Sequence, residues 1–461
     1  MSLLTFALAA GMIAPGHATE PRRRNAPAAT HLAAAARPAV AAGITLAEAE
    51  ALLVERNLTV LAARRGVDIA AAQRLVADTN PAGSLGYGQT TGQVNERTRF
   101  GGYNGARYIS PLNNLSFSLT VTIERGGKRE LRTRLAQEQI SVAEAQVLDA
   151  LREQIFALRI AFIQGLQARA NLQVALTNRE SLGRTELLLA LQVREGAIPE
   201  ADLLRFQASR LPFEQDVAAA TQTYAASVAQ VTALLGADAS RAGASGYDLR
   251  GRLEGERALD IPRATLAEAI ASRPDVLAAQ RSASAAGANT RLAEAGRSRD
   301  VSIGGSATRT ELSQDLPSGS TTPRGTNTLG LSLSVPIFTR RITEGNIAVA
   351  QAQQGQAQAQ ADNGLAQAQA DFAIAWASYE QARSLLALTT GTALRRAEDA
   401  YRATEAAYLA GGRNLLDTLD ALRTLNATRV AANAARAAYA TALMMLERTS
   451  GVDGLAPRLR P

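Results

Sequence analysis

Three landmarks of the chain return in the same order about 215 residues later, and this internal repeat constrains the fold more than any other feature. The paired stretches, each given with the number of its first residue, are TLAEAEALL (45) and TLAEAIASR (265), LTVTI (119) and LSVPI (333), and EGAIPEADLL (195) and AGGRNLLDTL (410). A constant order at nearly constant spacing indicates a duplicated unit. We therefore predict a first repeat over 44–236, a linker over 237–263 and a second repeat over 264–450.

Each repeat has the same predicted plan of helices and strands, which makes the fold mainly α with a small β part. The pattern of apolar residues and glycines places the elements as follows: a helix at 44–79 and 264–298, a strand at 83–90 and 300–307, a polar loop at 91–113 and 309–327, a second strand at 114–123 and 328–337, a very long helix at 128–193 and 341–410, and a last helix at 200–236 and 414–450.

The strands alternate in a way that is typical of membrane strands. Leu115, Phe117, Leu119, Val121 and Ile123 share one face, and serines and threonines share the other. A half-buried strand of a soluble sandwich alternates identically, so the pattern leaves both readings open. If the strands do span a membrane, four of them are too few to close a barrel, and several subunits would have to contribute.

The long helices favour an extended architecture. About 66 uninterrupted residues make a rod of about 100 Å, which is stable only when it packs against other helices as in a coiled coil. The Ala- and Gln-rich stretch at 348–379 has a composition that also occurs in disordered segments. Because Ala and Gln are good helix formers, we predict a helix there.

Composition excludes most other classes of function. The chain has no cysteine and only two histidines, His17 and His31, so we expect no cofactor, no structural metal site and no enzyme activity. Its 49 basic and 42 acidic residues are scattered, which argues against nucleic-acid binding. Residues 1–18 resemble a secretory signal peptide, and we expect a disordered segment at 19–43 and a tail at 451–461. No stretch approaches the roughly 18 apolar residues of a membrane helix.

With these elements in place, residues 44–450 resemble the TolC family of outer-membrane efflux proteins. The resemblance rests on the repeat, the order of elements and the turn "YLAGGRNLLDTLDALRTL" from Tyr408 to Leu425. It implies a homotrimer in the outer membrane of a Gram-negative bacterium. Each chain would give four strands to a 12-stranded transmembrane β-barrel, which continues as a coiled-coil α-helical barrel across the periplasm.

The same resemblance implies an exit duct of a tripartite efflux system. Its partners would be a periplasmic adaptor, an inner-membrane transporter of the RND class and the lipid of the outer membrane. The stretches "ERGGKRELR" and "VPIFTRRITEGNIAVA" further resemble the branch that serves heavy-metal (cobalt–zinc–cadmium type) resistance, so metal cations or drugs are the expected cargo. Two alternatives stay open: the outer-membrane component of type I protein secretion, and a soluble coiled-coil scaffold.

Three groups of site residues follow from the resemblance. Asp202, Tyr408 and Arg413 match a hydrogen-bonded latch at the periplasmic tip, although Ala201 replaces a hydroxyl residue found in some relatives. The alternative is that these three are ordinary exposed turn residues.

Gly196, Gly411, Leu204 and Leu419 match the grooves that receive the adaptor. A plain turn, with leucines in the coiled-coil seam, would explain the same four residues.

Asp417 and Asp420 form the third group and lie three residues apart on one helical face. The resemblance implies that three chains bring them together as a cation-binding ring at the channel gate. The first half has Arg205 where its second acid would stand, so only the second half would supply the ring, and Arg205 would partly neutralise it. Alternatively, both aspartates simply complement the positive end of a helix.

Overall fold

Long helices and a small antiparallel sheet make up the structure, a computed structural model. It describes residues 43–91, 113–236, 247–253, 259, 261–315, 321–410, 412 and 414–455. All of these belong to one unit, residues 41–461. The predicted signal peptide at 1–18 and nearly all of the predicted loop at 91–113 lie outside the described residues. Within the described ranges, none of the helices combines the length and hydropathy that crossing a membrane requires.

The elements follow the predicted order, with differences at several boundaries. The strands are β1 (Gly43–Ile44), β2 (Ser84–Thr91), β3 (Asn113–Ile123), β4 (Asp248–Leu249), β5 (Val301–Asp315) and β6 (Thr321–Ser334). The helices are α1 (Leu46–Arg56), α2 (Leu58–Ala77), α3 (Lys128–Arg194), α4 (Glu200–Leu234), α5 (Arg263–Ala269), α6 (Pro274–Ala295), α7 (Arg340–Ala387), α8 (Leu394–Leu409) and α9 (Leu415–Ser450).

The first helix of each predicted repeat is divided in two. Asn57 interrupts 44–79: its backbone is extended, and its side chain accepts hydrogen bonds from the amides of Thr59 and Val60 at the start of α2. Arg273 interrupts 264–298, because the residue before Pro274 is driven out of the helical region. The prediction of one continuous helix was wrong at both places.

The second pair of strands is longer than predicted. β5 and β6 stay paired from Ser302 opposite Ser334 to Asp315 opposite Thr321, so most of the predicted loop at 309–327 is strand. The apolar alternation stops near Thr308, but backbone hydrogen bonds do not depend on it. At the other end, β6 stops at Ser334 rather than at the predicted residue 337. Pro336 has no backbone amide to donate, so it cannot continue the ladder of hydrogen bonds.

The long helix of the second half is interrupted, whereas α3 runs through 67 residues. Residues Leu388–Ala393, between α7 and α8, form one π-helical turn within the predicted helix at 341–410. The hydroxyls of Thr389 and Thr390 donate to the carbonyls of Leu385 and Leu386, both at 2.7 Å, which competes with the backbone ladder.

The described residues of the predicted linker and of the predicted terminal segments take part in the fold. Gly43, expected at the end of a disordered segment, instead pairs in β1 with β4 of the 237–263 linker, in parallel. Ile44 and Leu249 of this ladder are buried. Leu455 in the predicted tail is also buried, in a cluster with Leu266 and Phe372.

The larger sheet has the order β2-β3-β5-β6, antiparallel throughout. The pairing register brings apolar residues of all four strands onto one face: Leu85, Tyr87, Phe117, Leu119, Val121, Ile303, Ala307, Leu329, Leu331 and Leu333. Leu329 and Leu331 are 87% and 85% exposed. The opposite face carries glycine, serine and threonine. A Cβ on Gly304 would come within 2.5 Å of the Ser332 hydroxyl, so this face is closely packed.

A glycine pair joins the sheet to the helices. Gly126 and Gly127 have φ of +79° and +66°, values that side-chain-bearing residues rarely adopt, and α3 begins directly after them. Asp300 ties β5 to this turn: it accepts from the Arg125 amide at 3.1 Å and from the Lys128 ammonium at 2.8 Å. Burial alone would raise the pKa of Asp300, but the hydrogen bonds from Lys128 and the Arg125 amide, together with the nearby positive charges, outweigh it, and the pKa is lowered.

An ion-pair cluster fastens the middle of α3. The Arg159 guanidinium bonds Glu50 of α1 and Glu447 of α9, and the Glu447 side chain is only 8% exposed. Burial would lower the pKa of Arg159, but its hydrogen bonds to the two carboxylates raise it. Around this cluster the apolar side chains Leu158, Phe162 and Met444 are buried.

Replacing Arg159 with Gln should destabilise the fold. The buried Glu447 carboxylate would lose the Arg159 guanidinium, and breaking a buried pair in this way costs about 3 kcal/mol or more. We expect that loss in the free energy of unfolding, measured by guanidinium denaturation in detergent. Arg179→Gln on the same helix, at an exposed position, should change it by less than about 0.5 kcal/mol. Equal effects of the two substitutions would show that the cluster does not fasten α3.

Candidate functional site

The site residues that the structure describes lie in or beside two turns between helices. The first joins α3 to α4. Gly196 has φ +73°, the Gly196 amide donates to the Val193 carbonyl at 3.0 Å, and the Ala197 amide donates to the Gln192 carbonyl at 2.8 Å. This pattern ends a helix through a left-handed residue, which glycine adopts without strain. A Cβ on Gly196 would meet no atom within 4 Å, so space is open beside the turn.

The second turn, between α8 and α9, has a matching hydrogen bond. The Gly412 amide donates to the Ala407 carbonyl at 2.8 Å, which corresponds to the bond from Ala197 to Gln192. Asn414 then caps α9, because its side chain accepts from the Asp417 amide at 2.8 Å. Gly411 and Arg413 lie outside the described residues.

Asp202 and Tyr408 interact across the two hairpins. Burial raises the pKa of Tyr408, and the Asp202 carboxylate raises it further. Asp202 lies in the first turn of α4, where its amide donates to the Pro199 carbonyl. Arg205, one turn along the helix, is 3.9 Å from the Asp202 carboxylate in a solvent-exposed pair. This electrostatic effect indicates that two of the three predicted latch residues lie near each other, and the latch itself stays a prediction.

The two predicted docking leucines have different surroundings. Leu204 is 58% exposed on α4, whereas Leu419 is 5% exposed. Leu419 belongs to a cluster that joins α3, α4 and α9 beneath the turns, made of Leu182, Leu189, Phe206, Phe213, Leu419 and Leu422. Sequence analysis did not single out Phe206 and Phe213, although their spacing of seven residues places both on one helical face.

Asp417 and Asp420 lie in the first two turns of α9. Asp417 is partly buried and Asp420 is exposed. Within one chain, the described ranges contain no group of three or more histidine, cysteine or acidic side chains that could hold a metal ion. A ring of aspartates would therefore have to come from several chains.

Comparison with known proteins tests the family resemblance that was predicted from the sequence. Residues 265–452 match the family model described as outer membrane efflux protein. These residues belong to the outer membrane efflux protein family. The match confirms the predicted resemblance, and with it the predicted outer-membrane location and a transport protein that is not an enzyme.

A relative and two solved structures extend the likeness beyond the second half. The chain is 24% identical over 314 residues to the cobalt-zinc-cadmium resistance protein CzcC of Cupriavidus metallidurans, covering 68% of this chain and 71% of CzcC. The Campylobacter jejuni CmeC outer membrane channel superposes with a TM-score of 0.71 at 18% identity, over 88% of this chain and 85% of CmeC. CusC, which forms a transmembrane channel, superposes with a TM-score of 0.68 at 17% identity, over 88% and 91%.

The two leucines make a matched pair for a stability test. Leu419→Ala should lower the free energy of unfolding by about 2–5 kcal/mol, because it leaves a cavity in the cluster beneath the turns. Leu204→Ala at its exposed position should change it by less than about 0.5 kcal/mol. Denaturation of the two variants side by side measures both. A neutral Leu419→Ala variant would mean that the cluster does not hold the three helices together.

Proposed function

We propose that three copies of this chain form the outer-membrane exit duct of a tripartite efflux system. The observation that carries the proposal is the four-stranded sheet, whose part nearest the helices has one apolar and largely exposed face, joined through Gly126 and Gly127 to a helix of about 100 Å. Such a face is unfavourable in water and favourable against lipid. The helix is long enough to carry the duct away from the membrane.

The sheet's two open edges support a trimer. Among the residues that the structure describes, β2 and β6 each pair on one side only, and an open edge is a template for another strand. In the arrangement we propose, β6 of each chain pairs with β2 of the next, and twelve strands close the barrel. Its apolar face would contact lipid, and its glycine, serine and threonine face would line the lumen.

The tip of the helical hairpins is the proposed gate and docking region. Asp202, Tyr408 and Arg413 would form the latch of the closed tip, supported by the interaction between the Asp202 carboxylate and Tyr408. Gly196 and Gly411, with Leu204 and Leu419, would receive a periplasmic adaptor that couples the duct to an inner-membrane transporter of the RND class. Of the two leucines, Leu204 offers the surface, and Leu419 would support the turn from beneath.

Metal cations are the cargo we favour. The likeness to the cobalt-zinc-cadmium resistance protein CzcC extends over 68% of the chain. A duct receives its cargo from the pump, so it does not need a selective site of its own.

Three copies would bring Asp417 and Asp420 to the narrow entrance as two stacked rings. Crowded carboxylates repel one another, and a hard cation with oxygen ligands relieves that repulsion. Asn414 supplies a side-chain cap at the start of α9, and the alternative that the two aspartates complement the positive end of this helix is an outcome of the test below.

The channel should therefore conduct in planar bilayers and be blocked from its periplasmic side by divalent cations at roughly millimolar concentration, and by trivalent cations at lower concentration. Asp417→Ala combined with Asp420→Ala should remove the block and weaken cation selectivity. Asp399→Ala, at an exposed carboxylate on α8, is the matched control and should leave both unchanged.

Two outcomes count against these proposals at different levels. If the double variant is blocked as strongly as the unmodified channel, the two aspartates only complement the helix terminus. If the purified protein neither conducts nor inserts, the exit duct itself is wrong.

A further inference from the structure

The places where the sheet meets the helices carry more basic than acidic side chains. These junction segments are residues 78–83, 124–132, 296–300 and 335–344, all within the described part of the chain. They hold eight basic residues against five acidic ones, a surplus of three positive charges per chain. They lie at the end of the apolar sheet face that is nearest the helices.

Most of the carboxylates in these segments already have a basic partner. Glu124 bonds Arg132, Glu130 lies 3.5 Å from Arg129, and Asp300 and Glu344 each lie 2.8 Å from a basic side chain, Lys128 and Arg340 respectively. The fifth, Asp78, accepts a hydrogen bond from Thr133 at 3.3 Å. The acidic side chains of these segments therefore do not neutralise all of the basic side chains.

Four arginines are left over, and we call them the junction arginines: Arg125, Arg297, Arg299 and Arg341. Each is exposed, and none forms an ion pair with another residue that the structure describes. They come from three separate segments of the chain. The guanidinium group matches the geometry of a phosphate oxygen pair, so these side chains suit a phosphate ligand.

One of the junction segments, 335–344, also contains an exposed aromatic residue. Phe338 is 88% exposed, and it is the one residue other than glycine with positive φ, +58°, in the described ranges. This backbone is strained for a bulky side chain, and the exposed ring stands two residues before Arg340 and three before Arg341. Aromatic side chains followed by arginines are typical of the boundary between hydrocarbon and lipid headgroups.

From these observations we propose that the junction arginines bind the phosphate groups of anionic phospholipids in the membrane leaflet nearest the helices. The proposal rests on the proposed function, because it requires the apolar sheet face to lie in the membrane. It adds a headgroup preference: the three positive charges per chain would enrich anionic lipid around the duct and fix its depth. Attraction of this kind weakens as salt screens the charges.

The test compares retained lipids after reconstitution. The purified protein is inserted into nanodiscs of equal phosphatidylglycerol and phosphatidylcholine, released in mild detergent, and its bound lipids are counted by native mass spectrometry. We expect phosphatidylglycerol to be retained at least about fivefold over phosphatidylcholine at low salt, and less so at high salt. Inorganic phosphate at the same concentration should not displace it.

Substitution of Gln at all four junction arginines should abolish the preference, and substitution of Lys at the same four should keep most of it because the charge remains. The matched control substitutes Gln at Arg179, Arg184, Arg194 and Arg396, four exposed arginines on helices away from the sheet, and should keep the full preference. The proposal is overturned if the unmodified protein shows no preference, or if the two sets of Gln variants behave alike. Failure of the proposed function looks different, because the protein would then not enter nanodiscs of any composition.

Discussion

A helix of about 100 Å cannot be stable alone in water, and the rest of the chain is arranged around this constraint on α3. α3 gains its stability from lateral packing against α2, α4, α6 and α9. Alanines such as Ala145, Ala161 and Ala168 are buried along it and let neighbouring backbones approach closely. At its centre Arg159 binds carboxylates from α1 and α9, so elements of both halves meet on one guanidinium group.

The second constraint is the change of surroundings at the end of α3. Before Gly126 and Gly127, the side chains of β3 alternate between an apolar face and a face of small polar residues. After them, the first turns of α3 are rich in charged residues. Two residues with positive φ make this change of direction within two positions, and Asp300 holds the turn from β5. The same junction holds the arginines and Phe338 to which we assign the phospholipid preference. In the proposed arrangement the sheet therefore contacts lipid, the junction contacts the headgroups and the charged helix contacts water.

Much of this could be predicted from the sequence, because its signals are local. The alternation in β3, the glycine pair and the continuous helix 128–194 each follow from side chains close together in the chain. The predicted helices were wrong where the backbone conformation departs from the apolar pattern of the sequence. These places are the cap at Asn57, the residue before Pro274, and the π-helical turn at Leu388–Ala393. The different burial of Leu204 and Leu419, and the approach of Asp202 to Tyr408, depend on how distant helices pack, which no local pattern contains.

Disulfide cross-linking can show whether the open edges of β2 and β6 pair between chains, as the proposed barrel requires. The chain has no cysteine, so every cross-link comes from introduced residues. Thr90→Cys on β2 is combined in turn with cysteine at Thr326, Thr328 or Ser332 on β6, in membranes, under oxidising conditions. We expect a covalent trimer for at least one pair, nothing larger, and no trimer from any single substitution. Monomers for every pair, or a ladder extending beyond three chains, would show that these two edges do not close a barrel of three chains.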